Sequence, residues 1–217
     1  MVFLQKVKNY FYIVESVKGK RSYLKKLGEI SREEAQIKIA EWKQRLETKP
    51  IYRTIVIDPP WPLEKIKRDV RPNQKEMDYT TMSIEEIKDF PLHRFIHRDG
   101  CHVYLWTTQK NLQYSFNILN AWGIQYQCLL TWVKNVGYTP FSWMYSTEHV
   151  LYGTKGNMPL LRKGIRLDFK GKVREHSRKP DEFYDIVKRV SVPPMIDIFS
   201  REKRDGFDQY GFEVDQL

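Results

Sequence analysis

The chain has 217 residues and a mass of 26.1 kDa, with 41% hydrophobic and 29% charged residues. That is the balance of a globular protein of about one domain; it excludes a disordered chain, and no apolar run approaches the ~20 residues of a membrane span. Lys and Arg number 37 against 27 Asp and Glu, a net charge of +10, which with 14% aromatic residues fits a nucleic-acid partner and also fits a plain solubility surface. Two cysteines, Cys101 and Cys128, lie outside any C-x-x-C spacing, so a zinc ribbon, a redox motif and a disulfide framework lack support. The N-terminus lacks the apolar core of a secretion signal, and the expected compartment is the reducing cytoplasm.

Residues 1–50 carry 12 Lys and Arg against 6 Asp and Glu, and they read as a small basic module. Tyr10–Val17 and Arg21–Leu27 are rich in β-formers and flank the turn Lys18-Gly19-Lys20, a hairpin pattern. Ser31, with Glu34 three residues on, opens a helix by a capping box; Ala35, Ile39, Trp42 and Leu46 share one of its faces. Pro50 marks a boundary. The hairpin-plus-helix pattern is weakly similar to the arm-type DNA-binding modules of phage integrases; a helical brace on the main domain is the other reading.

From residue 51 onward strands and helices alternate. Thr54–Ile57 reads as a strand, residues 62–80 as a long polar loop, and Ser83-Ile84-Glu85-Glu86 as the capped start of a short helix. Val103–Trp106 is a strand. Leu112, Phe116, Leu119 and Trp122 line a helix that ends at Gly123. Gln127–Val133 and Glu148–Tyr152 are strands around a Gly/Pro/aromatic loop, and residues 154–178 are basic and irregular. Pro180 occupies a helix N1 position, with Phe183, Ile186, Val187 and Val190 on the buried face. Met195–Phe199 is a last strand. Such alternation predicts an α/β sheet with flanking helices.

Asp58-Pro59-Pro60-Trp61 follows the first of these main-domain strands, and ligands of α/β sheets bind at the carboxyl ends of strands. The 6-amino nitrogen of adenine is a poor nucleophile, because its lone pair is delocalised into the ring. Asp58 and the Pro59 carbonyl can accept its two protons and aim the lone pair out of plane. The Pro-Pro unit presents its carbonyls rigidly, and Trp61 offers a stacking face. Taken alone, the four residues are equally a turn in which Asp caps and the prolines end the strand. His93, His97 and His102 lack the acids or cysteines that would complete a metal site. Trp106, Trp122 and Trp132 are expected in the core. Trp143 and Tyr145 lie in a loop facing the expected site, where stacking on nucleic acid competes with ordinary packing. Arg162, Lys163, Arg166, Lys170, Lys172, Arg174 and Arg178 form either a solvated loop or a phosphate-binding lid.

Over residues 53–213 the chain resembles the DPPW, or MT-A seventy, family of adenine methyltransferases. The elements that carry the resemblance occur in family order. They are Asp58-Pro59-Pro60-Trp61, Tyr79-Thr80-Thr81-Met82-Ser83, Tyr104-Leu105-Trp106-Thr107-Thr108, Trp122-Gly123 with Trp132-Val133-Lys134, Glu148-His149-Val150-Leu151 with Gly153, Ser177-Arg178-Lys179-Pro180-Asp181-Glu182, Ile198-Phe199-Ser200-Arg201, and Gly206-Phe207 with Gly211-Phe212-Glu213. The resemblance implies a Rossmann-like methyltransferase sheet over residues 51–217 that uses S-adenosyl-L-methionine. It implies that Asp58, Pro59, Pro60 and Trp61 are catalytic and that Tyr79, Trp61 and Lys134 meet the substrate. Asp58, Lys179, Phe199, Ser200, Arg201 and Glu213 are the implied cofactor contacts; a lysine just before a helix and an arginine at a strand end both suit a carboxylate. Phe212 stands where the family has Asn, and the family's upstream acidic adenine-pocket segment has no counterpart here. The expected activity is N(6)-methylation of adenine in nucleic acid, DNA ahead of RNA, by a chain that is a homo- or heterodimer if it requires a partner. A catalytically silent nucleic-acid-binding subunit is the alternative from a different class.

Overall fold

The computed structural model describes residues 2–17, 20–47, 52–62, 81–135, 143–174, 178–200 and 202–210. The N-terminal segment forms β1 (Val2–Val7), β2 (Tyr10–Val17) and β3 (Lys20–Gly28), an antiparallel sheet in that order, followed by α1 (Arg32–Glu47). The hairpin and the helix match expectation. The capping box is made: Glu34 N–H donates to Ser31 Oγ at 3.1 Å and Ser31 N–H to Glu34 Oε2 at 2.9 Å. β1 was not expected. Its signal is the two-residue turn Lys8-Asn9, in which Lys8 has a φ of 54°, a left-handed conformation typical of tight hairpins. Ile13, Leu27, Ala35 and Ile39 are buried.

The main sheet is built from β4 (Thr54–Ile57), β5 (Gly100–Thr107), β6 (Gln125–Val133), β7 (Thr147–Gly156), β8 (Asp168–Lys170), β9 (Met195–Ile198) and β10 (Asp208–Tyr210), interleaved with α2 (Ile84–Lys88), α3 (Leu112–Ala121) and α4 (Asp181–Val190). Its order is β10-β9-β4-β5-β7-β6-β8. β10, β9, β4 and β5 run parallel; β7 is antiparallel to both β5 and β6, and β8 is parallel to β6. This is the expected α/β, Rossmann-like methyltransferase sheet with flanking helices.

Successive side chains of a strand point to opposite faces, and the core divides accordingly. Ile55, Ile57, Val103, Leu105, Leu151, Ile196 and Ile198 pack with Ile87 of α2 and Ile118 and Leu119 of α3. Val56, Tyr104, Trp106, Val150, Tyr152 and Met195 pack with Phe183, Ile186, Val187 and Val190 of α4. Trp106, Trp122 and Trp132 are core residues, as expected. Gly153 lies opposite Tyr126 beside an irregularity in the β6–β7 ladder. A Cβ there would meet Ile124 Cγ2 at 2.6 Å and the Gln125 carbonyl at 2.9 Å, so this ladder admits only glycine without repacking.

Three expectations need correction. Residues 154–178 are not irregular throughout: β7 continues to Gly156, and Asp168–Lys170 adds an edge strand through Phe169, which packs on the α4 face. A basic three-residue strand carries too little alternation to stand out. Pro180 is the N-cap of α4, not its first helical residue; its ψ of 143° is extended, and its carbonyl accepts from Phe183 N–H at 3.2 Å. The last main-domain apolar strand ends at Ile198, because Phe199 turns to a φ of 61°.

Candidate active site

The topology brings five sequence-distant segments to one edge of the sheet. Asp58 follows the carboxyl end of β4 and Phe199 that of β9. β7 runs the other way, so its first residues, Thr147–His149, lie at the same edge beside the end of β6 and Lys134; in register Trp132 faces Glu148 and Thr107 faces His149. Lys179 enters from the segment that caps α4. Its Nζ lies 3.0 Å from Asp58 Oδ2 and 3.3 Å from Glu148 Oε2, and Glu148 Oε1 accepts from Lys134 Nζ at 2.9 Å. Carboxylates and ammoniums thus alternate in the line Asp58–Lys179–Glu148–Lys134, each side chain at most about a fifth exposed.

Burial by itself would neutralise Glu148 and Lys179; attraction within the line prevents it. Burial would raise the Glu148 carboxyl, but Lys179 and Lys134 hold it below the ordinary range. Burial would lower the Lys179 ammonium, but Asp58 and then Glu148 hold it above. Lys179 also sits 5.1 Å from the centre of the Trp106 ring, over its face, a further stabilisation of the cation.

The Asp-Pro-Pro-Trp turn is tied at each residue. Asp58 N–H donates to the Ile198 carbonyl at 3.2 Å, Trp61 N–H to the Pro59 carbonyl at 2.8 Å, and Met82 N–H to the Pro60 carbonyl at 2.8 Å. The Trp61 indole N–H donates to the Trp106 carbonyl at 3.1 Å, and the ring packs, partly buried, on the α2–α3 side of the core. The Pro59 carbonyl is therefore rigid and keeps a second lone pair for another donor.

Beside Lys179 lies a small cavity lined by Asp58, Arg178, Lys179, Tyr184, Asp197, Phe199, Ser200, Glu202 and Arg204. Asp197 alternates with Met195 and so points under α4, where Tyr184 OH donates to its Oδ2 at 2.8 Å. Its Oδ1 is buried and accepts no hydrogen bond from the described residues. Arg204 stacks 3.7 Å above the Tyr184 ring centre, donates to the Lys179 carbonyl at 2.9 Å and pairs closely with Asp181 and Glu202. It ties the segment after β9 to the start of α4. The chemistry of this lining, with cations, carboxylates and a buried acceptor unpaired among the described residues, suits a ligand bearing a carboxylate, an ammonium and ribose hydroxyls, the groups of S-adenosyl-L-methionine.

Burial raises the Asp197 carboxyl from its ordinary 3.8 to about 7; Tyr184 and Arg204 oppose the rise, and Asp58 and Glu202 add to it. Between these two pH values the folded chain holds a proton that the unfolded chain has lost. Stability therefore falls as pH rises through this window, by on the order of 4 kcal/mol once Asp197 is fully ionised. Denaturant titrations from pH 4 to pH 8 are expected to show that decline, and Asp197→Asn is expected to flatten it. A slope unchanged in the variant would assign the decline to another group.

Of the residues expected at the site, the structure brings together Asp58, Pro59, Pro60, Trp61, Lys134, Lys179, Phe199 and Ser200. Tyr79, Arg201 and Glu213, with Phe212 and the loop over residues 63–80, lie outside the described residues. Lys134 pairs with Glu148 at 2.9 Å within the charge line. The lid expectation weakens at three positions: Arg166 donates to Asp168 at 2.9 Å and 3.0 Å, Arg174 pairs with Glu202 at 2.9 Å and Asp181 at 3.0 Å, and Arg178 lies 3.7 Å from Glu202. His102 is fully buried between Ser191 Oγ at 2.8 Å and the Met158 carbonyl at 3.0 Å. Glu148, Asp197 and Arg204 received no role from sequence. Asp197 had a legible signal, an acid in a strand that is otherwise apolar; Glu148 headed one of the ordered motifs without a role, and Arg204 had no signal without its partners.

The MT-A70 family model matches residues 52–213. The chain is 31% identical over 160 residues to a rice protein named probable N(6)-adenosine-methyltransferase MT-A70-like, covering 69% of this chain and 21% of that one. It is 27% identical to the human N(6)-adenosine-methyltransferase catalytic subunit METTL3, covering 69% of this chain and 26% of the relative. It is also 27% identical over 182 residues to the Mycoplasma type II methyltransferase M.MunI, covering 75% of this chain and 78% of that one. The chain thus spans about a quarter or less of the plant and animal relatives and most of the bacterial one. MT-A70 methyltransferases use S-adenosyl-L-methionine as methyl donor. The ordered motifs, the sheet that gathers Asp58 and Lys179 at one edge, and a match over three quarters of the sequence have one common explanation: this chain belongs to the MT-A70 family.

Proposed function

We propose that the chain methylates the 6-amino group of adenine in nucleic acid, with DNA as the polymer. One observation carries this reading: Asp58, paired with Lys179 at 3.0 Å, stands beside the rigid Pro59 carbonyl at the carboxyl edge of the sheet. S-adenosyl-L-methionine, when bound, supplies an electrophilic methyl group. Asp58 and the Pro59 carbonyl accept the two amino hydrogens and direct the nitrogen lone pair out of the ring plane. The same two acceptors stabilise the positive charge that develops on nitrogen. The Lys179 ammonium pairs with one carboxylate oxygen of Asp58, which favours the carboxylate as an acceptor. Trp61, Tyr79 and Lys134 contact the substrate; Lys179, Phe199, Ser200, Arg201 and Glu213, with Asp58, contact the cofactor. The base must leave its stack to reach Asp58. Residues 1–50 act as a small basic nucleic-acid-binding module and residues 51–217 as the methyltransferase domain.

The length match with a bacterial type II methyltransferase supports DNA. The N(6)-adenosine-methyltransferases among the relatives support RNA as the second reading. Labelled S-adenosyl-L-methionine offered with matched DNA and RNA, each single- and double-stranded, tests both. N(6)-methyladenine in the DNA pools supports the first reading and in the RNA pools the second; a chain that makes neither and binds no cofactor is a silent subunit.

A further inference from the structure

The active-site line of charges occupies only one face of the sheet edge. Along β7, Glu148 shares its face with Val150 and Tyr152, the α4 side, while Thr147 and His149 share theirs with Leu151, the α3 side. On the α3 side Gln109 donates to Thr147 Oγ1 at 3.1 Å and meets His149 Nε2 at 2.6 Å. Gln109 and Thr147 line a shallow cleft together with, among the described residues, Lys110, Trp143, Met144 and Tyr145. Trp143 is 88% exposed, Tyr145 55% and Met144 41%. The segment is not a loose end: Lys134 N–H donates to the Ser146 carbonyl at 2.8 Å, and Ser146 N–H to the Met144 carbonyl at 2.8 Å. The anchor joins the aromatic segment directly to a member of the active-site charge line.

A tryptophan kept almost wholly in water by an anchored backbone gains nothing from folding and exposes apolar surface. Its rings suit a planar, anionic occupant. Among the described lining residues the charged one is Lys110, a cation, and the chain as a whole carries +10, so an acidic polymer with aromatic faces complements the cleft in charge and in stacking surface. We propose that Trp143 and Tyr145 form a stacking platform for the nucleotides flanking the target adenine in a single-stranded or locally opened polynucleotide, with Lys110 meeting the backbone phosphates. The inference rests on the nucleic-acid reading above and adds to it where the strand lies. The target base turns to the Asp58 side of the sheet edge, while its neighbours remain on the α3 side with Trp61 and Trp143.

The test is binding and turnover of the full chain with a fluorescent single-stranded adenine-containing 12-mer, as DNA and as RNA. Loss of one base–aromatic stack is expected to weaken strand binding about tenfold in Trp143→Ala and little in Trp143→Phe. Affinity for S-adenosyl-L-methionine, by calorimetry, and kcat at saturating strand are expected to be unchanged. Strand affinity and KM unaltered in Trp143→Ala overturn the platform. So does an unaltered affinity accompanied by a change in oligomeric mass by light scattering, which assigns the surface to a protein partner. If Trp143 governs strand binding but no N(6)-methyladenine forms, the platform stands and the reaction reading falls; if methylation proceeds with equal KM in both proteins, the reverse holds.

Discussion

Asp58→Ala is expected to lower methyl transfer by on the order of 10³-fold, the effect of losing one preorganised electrostatic partner of a developing charge, and to leave the fold intact. Lys179 keeps Glu148 at 3.3 Å, and Asp58 is anchored through its backbone to the Ile198 carbonyl, so neither the turn nor the charge line collapses. Cofactor affinity, measured by calorimetry, is expected to fall far less than turnover. Asp58→Asn sharpens the comparison. An amide retains an acceptor oxygen and loses the negative charge, so partial activity in Asn and none in Ala would indicate that hydrogen bonding matters beside charge. Turnover close to that of the parent in Asp58→Ala would remove Asp58 from the mechanism.

Lys179→Met acts on stability as well as on activity. It withdraws the cation shared by the carboxylates of Asp58 and Glu148, all three side chains being about a fifth exposed or less. Breaking one side of a buried ion pair is expected to cost on the order of 3 kcal/mol, read as a lower denaturation midpoint near neutral pH. Lys134 still pairs with Glu148 at 2.9 Å, which limits the loss. In the parent, Glu148 titrates below the ordinary carboxylate range, so its contribution is present above that range and lost as pH falls through the folded value. In the variant the main cause of that depression is gone, and the acid-side loss is expected to begin at higher pH. Adding Asp58→Asn to Lys179→Met is expected to recover part of the stability by removing the charge that Lys179 balances at 3.0 Å, without recovering activity. A double variant no more stable than the single one would show that packing against Trp106, rather than charge, is what Lys179 supplies.

Much of this was open to inspection in the residues. The apolar run Thr54–Ile57 is a buried strand because four consecutive apolar or β-branched residues can be covered on both faces. Ser31 with Glu34 and Ser83 with Glu86 start helices because each side chain satisfies the other's backbone donor. Phe183, Ile186, Val187 and Val190 give α4 its buried stripe by their spacing. Those signals are local, and so is Asp58-Pro59-Pro60-Trp61 as a rigid turn after a strand. β8 escaped detection because three residues carry too little periodicity.

The sequence alone determined the class of fold, the order of the motifs, the basic charge and the presence of an acid and a lysine suited to methyl-transfer chemistry. Tertiary structure decided which groups those two meet. Lys179 lies 121 positions from Asp58 and 31 from Glu148, yet it contacts both because parallel β4 and β9 and antiparallel β7 deliver different chain ends to one edge. Pairing across a sheet depends on strand order and register, which no local spacing encodes. The same pleat separates Glu148 from Thr147, placing charge on the α4 side and exposed aromatic surface on the α3 side. Hydrogen bonds and ion pairs act over a few ångströms of space, whatever the distance along the chain, so their effect on Glu148, Lys179 and Asp197 exists only once the sheet has formed.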